Sequence, residues 1–133
     1  MDRKPYRVLV CGGRDYADRK RVFDYLDRLW REAAPLDALE VIQGGATGAD
    51  ALAREWCCSR EVPYVNVPAN WKLLGKAAGP IRNQRMIDEY GPSLVLAFPG
   101  GRGTADMVSR AHRARITVVG VPIDQTEAIA VAW

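Results

Sequence analysis

The apolar run Val95-Leu96-Ala97-Phe98 passes directly into Pro99-Gly100-Gly101-Arg102-Gly103-Thr104-Ala105-Asp106, and this junction constrains the fold more than any other stretch. It reads as a buried strand that turns on glycines into the start of a helix. Glycine lets the backbone approach a ligand with no Cβ in the way, and the first-turn amides of a helix carry partial positive charge without intrahelical acceptors. An anion is the natural occupant of such a turn. The device recurs in Val41-Ile42-Gln43-Gly44-Gly45-Ala46-Thr47-Gly48-Ala49-Asp50 and, after a third strand, in Val8-Leu9-Val10-Cys11-Gly12-Gly13-Arg14-Asp15. Three such turns in a chain of 133 residues point to one multi-point site.

Short apolar runs at Arg7 to Cys11, Glu40 to Gln43, Tyr64 to Val67, Leu94 to Phe98 and Thr117 to Val121 show no clean alternation, as expected of strands covered on both faces. Between them lie helical periods: Val22, Leu26 and Leu29 or Trp30; Leu52, Ala53, Trp56 and Cys57; Met86, Ile87 and Tyr90; Met107, Val108, Ala111 and Ala114. This alternation predicts an α/β chain of modified Rossmann type, with one open, mostly parallel sheet of about five strands and helices on both faces. Ligands of such sheets bind beyond the strand carboxyl ends, where all three glycine turns fall. The stretch 68 to 80 has no clear period and reads as a loop over that edge, or a short helix within one. Gly91 and Pro92 end the third helix, Pro122 follows the last strand, and the tail from Asp124 to Trp133 is a candidate final helix.

Length and a 48% hydrophobic fraction suit one domain spanning residues 1–133 with a real core. The net charge of +3 comes without long basic runs, so neither a nucleic-acid arm nor a membrane patch is expected. Cys11, Cys57 and Cys58 lack C-x-x-C spacing and His112 is the one histidine, which supports neither a disulfide framework nor a metal site. No cofactor is indicated. The first apolar run is too short for a signal peptide or a membrane span, and the expectation is a soluble protein in a reducing cytoplasm.

Several candidate residues have structural readings beside functional ones. Thr47 and Asp50 fit a capping box, with Thr47 bonding forward to a helix amide and Asp50 reaching back, while Gly44, Gly45 and Gly48 still offer amides to a ligand. Thr104 fits an N-cap and Asp106 the favourable end of the helix dipole. One glycine would suffice for that turn, so Gly100, Gly101 and Gly103 together argue for close approach of something else. Arg82, placed by Gly79-Pro80 in a first helical turn where a cation is disfavoured, calls for an anion nearby; a salt bridge to Glu89 is the rival reading. Asn83 beside it suits a sugar hydroxyl or phosphate oxygen. Arg14, Asp15 and Tyr16 suit a ribose or base edge, or Asp15 stabilises its own turn. Trp71 either stacks on a base or plugs its loop against the core. Cys11 and the Cys57-Cys58 pair read as packing, and His112 as part of a solvated face.

Taken together, Gly12 to Asp15, Gln43 to Asp50, Ala69-Asn70-Trp71, Ala78 to Met86 and Phe98 to Met107 resemble the YspA/cpYpsA-related branch of the SLOG superfamily, across nearly the whole chain. The resemblance implies a modified Rossmann fold that binds nucleotides or nucleotide-derived ligands; signalling or sensing is the use expected of such a binding module. Its relatives include the LOG phosphoribohydrolases, which cleave the N-glycosidic bond of nucleoside 5′-monophosphates, and DprA, which binds DNA. By that resemblance Arg82 matches the catalytic arginine of the LOG enzymes, and Pro99, Gly100, Gly101, Arg102, Gly103 and Thr104 match their phosphate loop. The position of the closing glutamate holds Met107, whose thioether can neither stabilise an oxocarbenium ion nor handle a proton. Asp106 lies one residue earlier, roughly 100° around a helix.

Two readings follow. In the first the chain is a binding module for a nucleotide-like small molecule, with Gly44, Gly45, Gly100, Gly101, Gly103 and Thr104 holding phosphate, Arg82 neutralising it, and Arg14, Asp15 or Asn83 orienting the sugar. In the second it is a hydrolase of an N-glycosidic bond, with Arg82 on the phosphate and Asp106 or Asp50 stabilising the ribosyl cation. DprA-like binding of single-stranded DNA is a distant third, since no basic stripe is evident. The resemblance also implies a homodimer, to which Trp30 or Trp133 would contribute.

Overall fold

In a computed structural model that describes residues 5–33 and 38–123, five parallel strands form one sheet in the order β3-β2-β1-β4-β5. The strands are β1 (Tyr6–Cys11), β2 (Leu39–Gln43), β3 (Tyr64–Asn66), β4 (Leu94–Ala97) and β5 (Thr117–Gly120). They alternate with α1 (Arg19–Ala33), α2 (Ala49–Arg60), the single turn α3 (Trp71–Leu74), a 3₁₀ turn at Gly75–Ala77 running into α4 (Ala78–Tyr90), and α5 (Arg102–Arg113). Strand β1 sits at the centre, with Val8 opposite Val41 of β2 and Val10 opposite Leu96 of β4.

Residue alternation along the central strands divides the core into two layers. Val8, Val10, Val41, Leu94 and Leu96 join Val22, Leu26 and Leu29 of α1 and Ala53 and Trp56 of α2. Leu9, Ile42 and Val95 face the other way, against Met86 and Ile87 of α4 and Met107 and Ala111 of α5. Both strand faces are therefore apolar, which is why no period of two shows in the sequence. Complete burial of a side chain such as Leu9 or Leu26 contributes roughly 1.5–3 kcal/mol relative to exposure.

The expectation of strands covered on both faces holds for β1, β2 and β4; β3 and β5 are the edges, and both ends of each are exposed. Trp30 packs edge-on against the fully buried Trp56, with ring centroids 5.6 Å apart. Buried Arg21 on α1 donates to the carbonyls of Pro122 and Ile123, tying that helix to the chain beyond β5. Gly91 ends α4 with φ of 49°, as the sequence indicates. The candidate final helix at 124–133, with Trp133, lies outside the described residues.

The stretch without a period resolves into α3 and the 3₁₀ turn, and α4 begins at Ala78, two residues before Pro80. Proline is tolerated there because first-turn amides have no intrahelical partner. Arg82 consequently lies one residue past the first turn rather than within it. Its rival partner Glu89 instead pairs with Arg85 at 2.9 Å.

Candidate functional site

On either side of β1 the chain leaves the sheet toward opposite faces, and a crevice opens beyond the strand carboxyl ends. The resulting cleft, about 720 Å³, is bounded by Cys11 to Asp15 after β1, Gly44 and Ala46 after β2, and Gly101 to Thr104 at the start of α5. Trp71, Lys76, and Gly79, Pro80, Arg82 and Asn83 of α4 supply the remaining wall, and Met86 and Met107 are among its apolar lining. That volume is in the range of small-molecule and cofactor sites.

The three glycine turns are not equivalent. After β2, Gly44 and Ala46 amides donate to the Asp50 carboxylate at 3.1 and 3.3 Å, and the Gly45 amide donates to the Gln43 side chain. Gln43 in turn donates from its Nε2 to the Asn66 side-chain oxygen on β3. That turn is thus satisfied from within, which corrects the expectation that Gly44 and Gly45 offer their amides to a phosphate. Asp50 does reach back, but Thr47 does not cap: its hydroxyl donates to the Arg14 carbonyl at 2.8 Å, and Gly48 is the N-cap of α2 with no side-chain bond. After β1, the Gly13 amide donates to Pro99 at 2.9 Å and its carbonyl accepts from Ala49 at 3.1 Å. A Cβ on Gly48, whose φ is 72°, would lie 2.1 Å from the Gly13 carbonyl oxygen, so this glycine serves contact between two loops.

The turn after β4 remains open. Gly100 is spent internally, since a Cβ there would lie 2.2 Å from Thr104 Oγ1. Around Gly101 and Gly103, chain neighbours and the backbone of α5 aside, no heavy atom of the described residues lies within 4 Å of an added Cβ, and neither has positive φ. Nothing among the described residues requires glycine at these two positions. Gly101 is the N-cap of α5 and makes no side-chain cap bond; the helix starts two residues before Thr104, which is therefore not the cap. The amides of Arg102, Gly103 and Thr104 have no acceptor among the described residues, and the first α5 bond is from Ala105 to the Gly101 carbonyl at 3.0 Å.

A polar network backs this turn. Arg82 Nη1 donates to the carbonyls of Gly44 and Val67 at 3.1 and 3.2 Å, and its Nε to Asn83 Oδ1 at 3.0 Å. Asn83, only 5% exposed, donates from Nδ2 to Asp106 Oδ2 at 3.0 Å and to the Gly103 carbonyl at 3.3 Å. Arg110 completes the line, with Nε on Asp106 Oδ2 at 2.8 Å and Nη1 on Gln84 at 2.9 Å.

The two carboxyl groups titrate in opposite directions. Burial raises the Asp50 pKa, and the Ala46 amide, Arg82 and the Gly44 amide only partly offset it. Burial also acts to raise Asp106, but hydrogen bonds from Arg110 and Asn83 outweigh it and hold this carboxyl below its ordinary range. Asp106 is therefore an ionised acceptor at neutral pH. Burial beside Asp50 pushes the Cys11 thiol up to about 12, which removes it as a nucleophile.

Of the residues singled out in the sequence, Gly12, Gly13, Arg14, Asp15, Gly44, Asp50, Arg82, Asn83, Gly101, Arg102, Gly103, Thr104 and Asp106 line the cleft. Gly45, Thr47, Gly48, Pro99 and Gly100 do not; they shape the turns behind it. Trp71 does not plug the core: it is 47% exposed, with the Arg14 guanidinium 5.1 Å from its ring centroid. Lys76 and Arg110 were not singled out. The spacing of Arg110 four residues after Asp106 was the available signal for the latter; Lys76 lies in the stretch without a period. Among the described residues no group of three His, Cys, Asp or Glu could hold a metal, and no helix is long and apolar enough to cross a membrane.

The model of the YspA, cpYpsA-related SLOG family matches residues 6–73. The Gene 61 protein of Mycobacterium phage D29 is 39% identical over 121 residues, covering 85% of this chain and 94% of its own length. Among solved structures, DNA processing protein A (DprA) from Streptococcus pneumoniae superposes with a TM-score of 0.72 at 18% identity, over 95% of this chain and 53% of that one. The chain thus spans about half the length of DprA. TM1055, a structural-genomics target, gives 0.61 at 17% identity over 84% of this chain and 71% of its own. The Moco carrier protein of Chlamydomonas reinhardtii gives 0.59 at 21% over 89% and 76%. At these identities the structural likeness is one of fold.

Proposed function

This chain belongs to the YspA, cpYpsA-related SLOG family, and from that premise we propose that it binds a nucleotide or nucleotide-derived ligand whose phosphate rests on the N-terminus of α5. One observation carries the reading: in a cleft of suitable size, an uncapped helix start presents free amides at two glycines that the protein's own packing does not need. Arg14, Lys76 and Arg102 add cationic groups around the same cleft. Arg82, whose Nη1 and Nε are already committed, acts mainly as the tie that holds the β2 turn against α4. Trp71 offers an exposed indole on which a base stacks.

Calorimetric titration with nucleoside mono- and diphosphates, NAD and ADP-ribose tests the proposal. Binding by at least one, lost in Gly101→Val with the melting temperature preserved, is the supporting result. Absence of binding across the panel, with inorganic phosphate also inert, rejects it. Signalling or sensing is the use proposed for such a module, in a reducing cytoplasm where Cys11, Cys57 and Cys58 stay free thiols. A homodimer remains implied by the family resemblance alone, and light scattering on the same samples reads it.

Asp106 favours a second reading, hydrolysis of an N-glycosidic bond. Its ionised carboxylate on the cleft wall has the chemistry to stabilise a ribosyl cation, though not to donate a proton. Release of free base from a nucleotide panel, abolished in Asp106→Asn and Arg82→Ala, is the outcome that selects it; no turnover with binding intact leaves the first reading.

A further inference from the structure

We propose that Asp106 reads the ribose of the bound nucleotide, accepting a hydrogen bond from a sugar hydroxyl, so that the cleft takes ribonucleotides in preference to their deoxy counterparts. This rests on the nucleotide reading above and adds to it which sugar is accepted.

The carboxylate is asymmetric. Oδ2 receives both protein hydrogen bonds, from Asn83 at 3.0 Å and Arg110 at 2.8 Å, while Oδ1 has no partner among the described residues. Asn83 is fixed in turn: Arg82 Nε, a donor only, demands its oxygen, and the Asp106 carboxylate, an acceptor only, demands its nitrogen. One orientation satisfies both. The same Nδ2 also touches the Gly103 carbonyl at 3.3 Å, so Asn83 locks the carboxylate to the first turn of α5. Asp106 lies three residues after Gly103, hence on the same helical face and about one turn along from the anion site.

Burial separates this arrangement from an ordinary helical ion pair. The Lys20–Asp24 and Arg85–Glu89 pairs have the same spacing of four, with side-chain exposures of 79%/59% and 51%/55%. Arg110 and Asp106 are at 21%/29%, on a cleft wall, and carry a second, buried anchor. An ionised oxygen here repels phosphate and accepts a hydrogen bond from a neutral hydroxyl. That divides the cleft into an anion end at Gly101 to Thr104 and a hydroxyl-reading position one turn further.

Calorimetry on the full chain with AMP, 2′-deoxy-AMP, 3′-deoxy-AMP and inorganic phosphate provides the test. AMP is expected to bind roughly ten- to hundredfold more tightly than at least one deoxy form, the effect of one hydrogen bond to a charged acceptor. In Asp106→Asn that preference collapses because AMP affinity falls to the deoxy level, and Asn83→Leu, which frees the carboxylate from its anchor, moves in the same direction. Equal binding of AMP and both deoxy forms by the wild-type protein overturns the proposal while the phosphate reading stands. A preference that survives in Asp106→Asn also overturns it. If neither AMP nor phosphate binds, both fail together. The wild-type ligand series decides the matter even if a variant does not fold.

Discussion

Arg82 Nη1 donates to the Gly44 carbonyl at 3.1 Å, and a Cβ on Gly44 would stand 2.2 Å from that same nitrogen. Glycine at 44 is therefore the condition for the arginine's position, and Arg82 in turn sets Asn83 and Asp106. Gly44→Ala is expected to swing the guanidinium aside at a stability cost of about 1 kcal/mol, because a side-chain end yields more easily than backbone. Ligand affinity should fall by more than the melting temperature suggests. Paired thermal melts and titrations on this variant check the split.

The glycines sort into two classes with opposite signatures. Gly48→Ala meets both a φ of 72° and the Gly13 carbonyl, and is expected to destabilise the fold by roughly 2 kcal/mol or more. Gly103→Ala meets nothing and removes a poor helix former, so stability should hold or rise by up to about 1 kcal/mol while binding weakens. Denaturant midpoints and affinities measured on both variants separate the classes; a Gly103→Ala protein that binds normally would refute a ligand approaching there.

Trp71 supplies an optical readout. Trp56 is fully buried and Trp30 packs on it, whereas Trp71 is 47% exposed on the cleft. Ligand addition is expected to quench fluorescence through Trp71, and Trp71→Phe to remove most of that change. Trp71→Ala should weaken binding by about 1–3 kcal/mol, the range for base stacking.

The pH dependence of stability has two opposing contributors. Arg60, hydrogen-bonded to Asp27, holds the Asp27 carboxyl below its ordinary value, with Trp56 assisting against burial. Its contribution is present above the unfolded pKa near ~3.9 and is lost as pH falls through the folded one. Burial raises Asp50, so its contribution is present below that unfolded value and is lost as pH rises through the folded one. Asp27→Asn is expected to flatten the acid limb of a urea-midpoint profile. Asp50→Asn, which keeps an acceptor for the Gly44 and Ala46 amides, is expected to steepen the rise in stability from pH 4 to 7. An unchanged profile in both variants contradicts these assignments.

The sheet was legible because its strands are short apolar runs punctuated by glycine: all five lie where the sequence places them, within a residue at each end. The division of labour among the glycines was not. Gly44-Gly45 and Gly100-Gly101 look alike in sequence, but Gln43 and Asp50 consume the amides of the first turn, and that depends on side-chain rotamers no spacing encodes. The start of α4 is not encoded for a related reason, since Pro80 marks the first turn without fixing which of its residues it occupies. Asn83 stands beside Arg82 in the sequence, yet its link to Asp106 exists only because α4 and α5 pack side by side.

The most direct measurement is a titration of ¹⁵N-labelled protein with AMP, following backbone amide shifts. The expected result is a saturable response concentrated at Gly101, Arg102, Gly103 and Thr104, with the Gly45 amide, already bonded to Gln43, responding little. Saturating AMP that leaves those four amides unmoved, or a response confined to the Gly44-Gly45 turn, would contradict a phosphate seated on the start of α5.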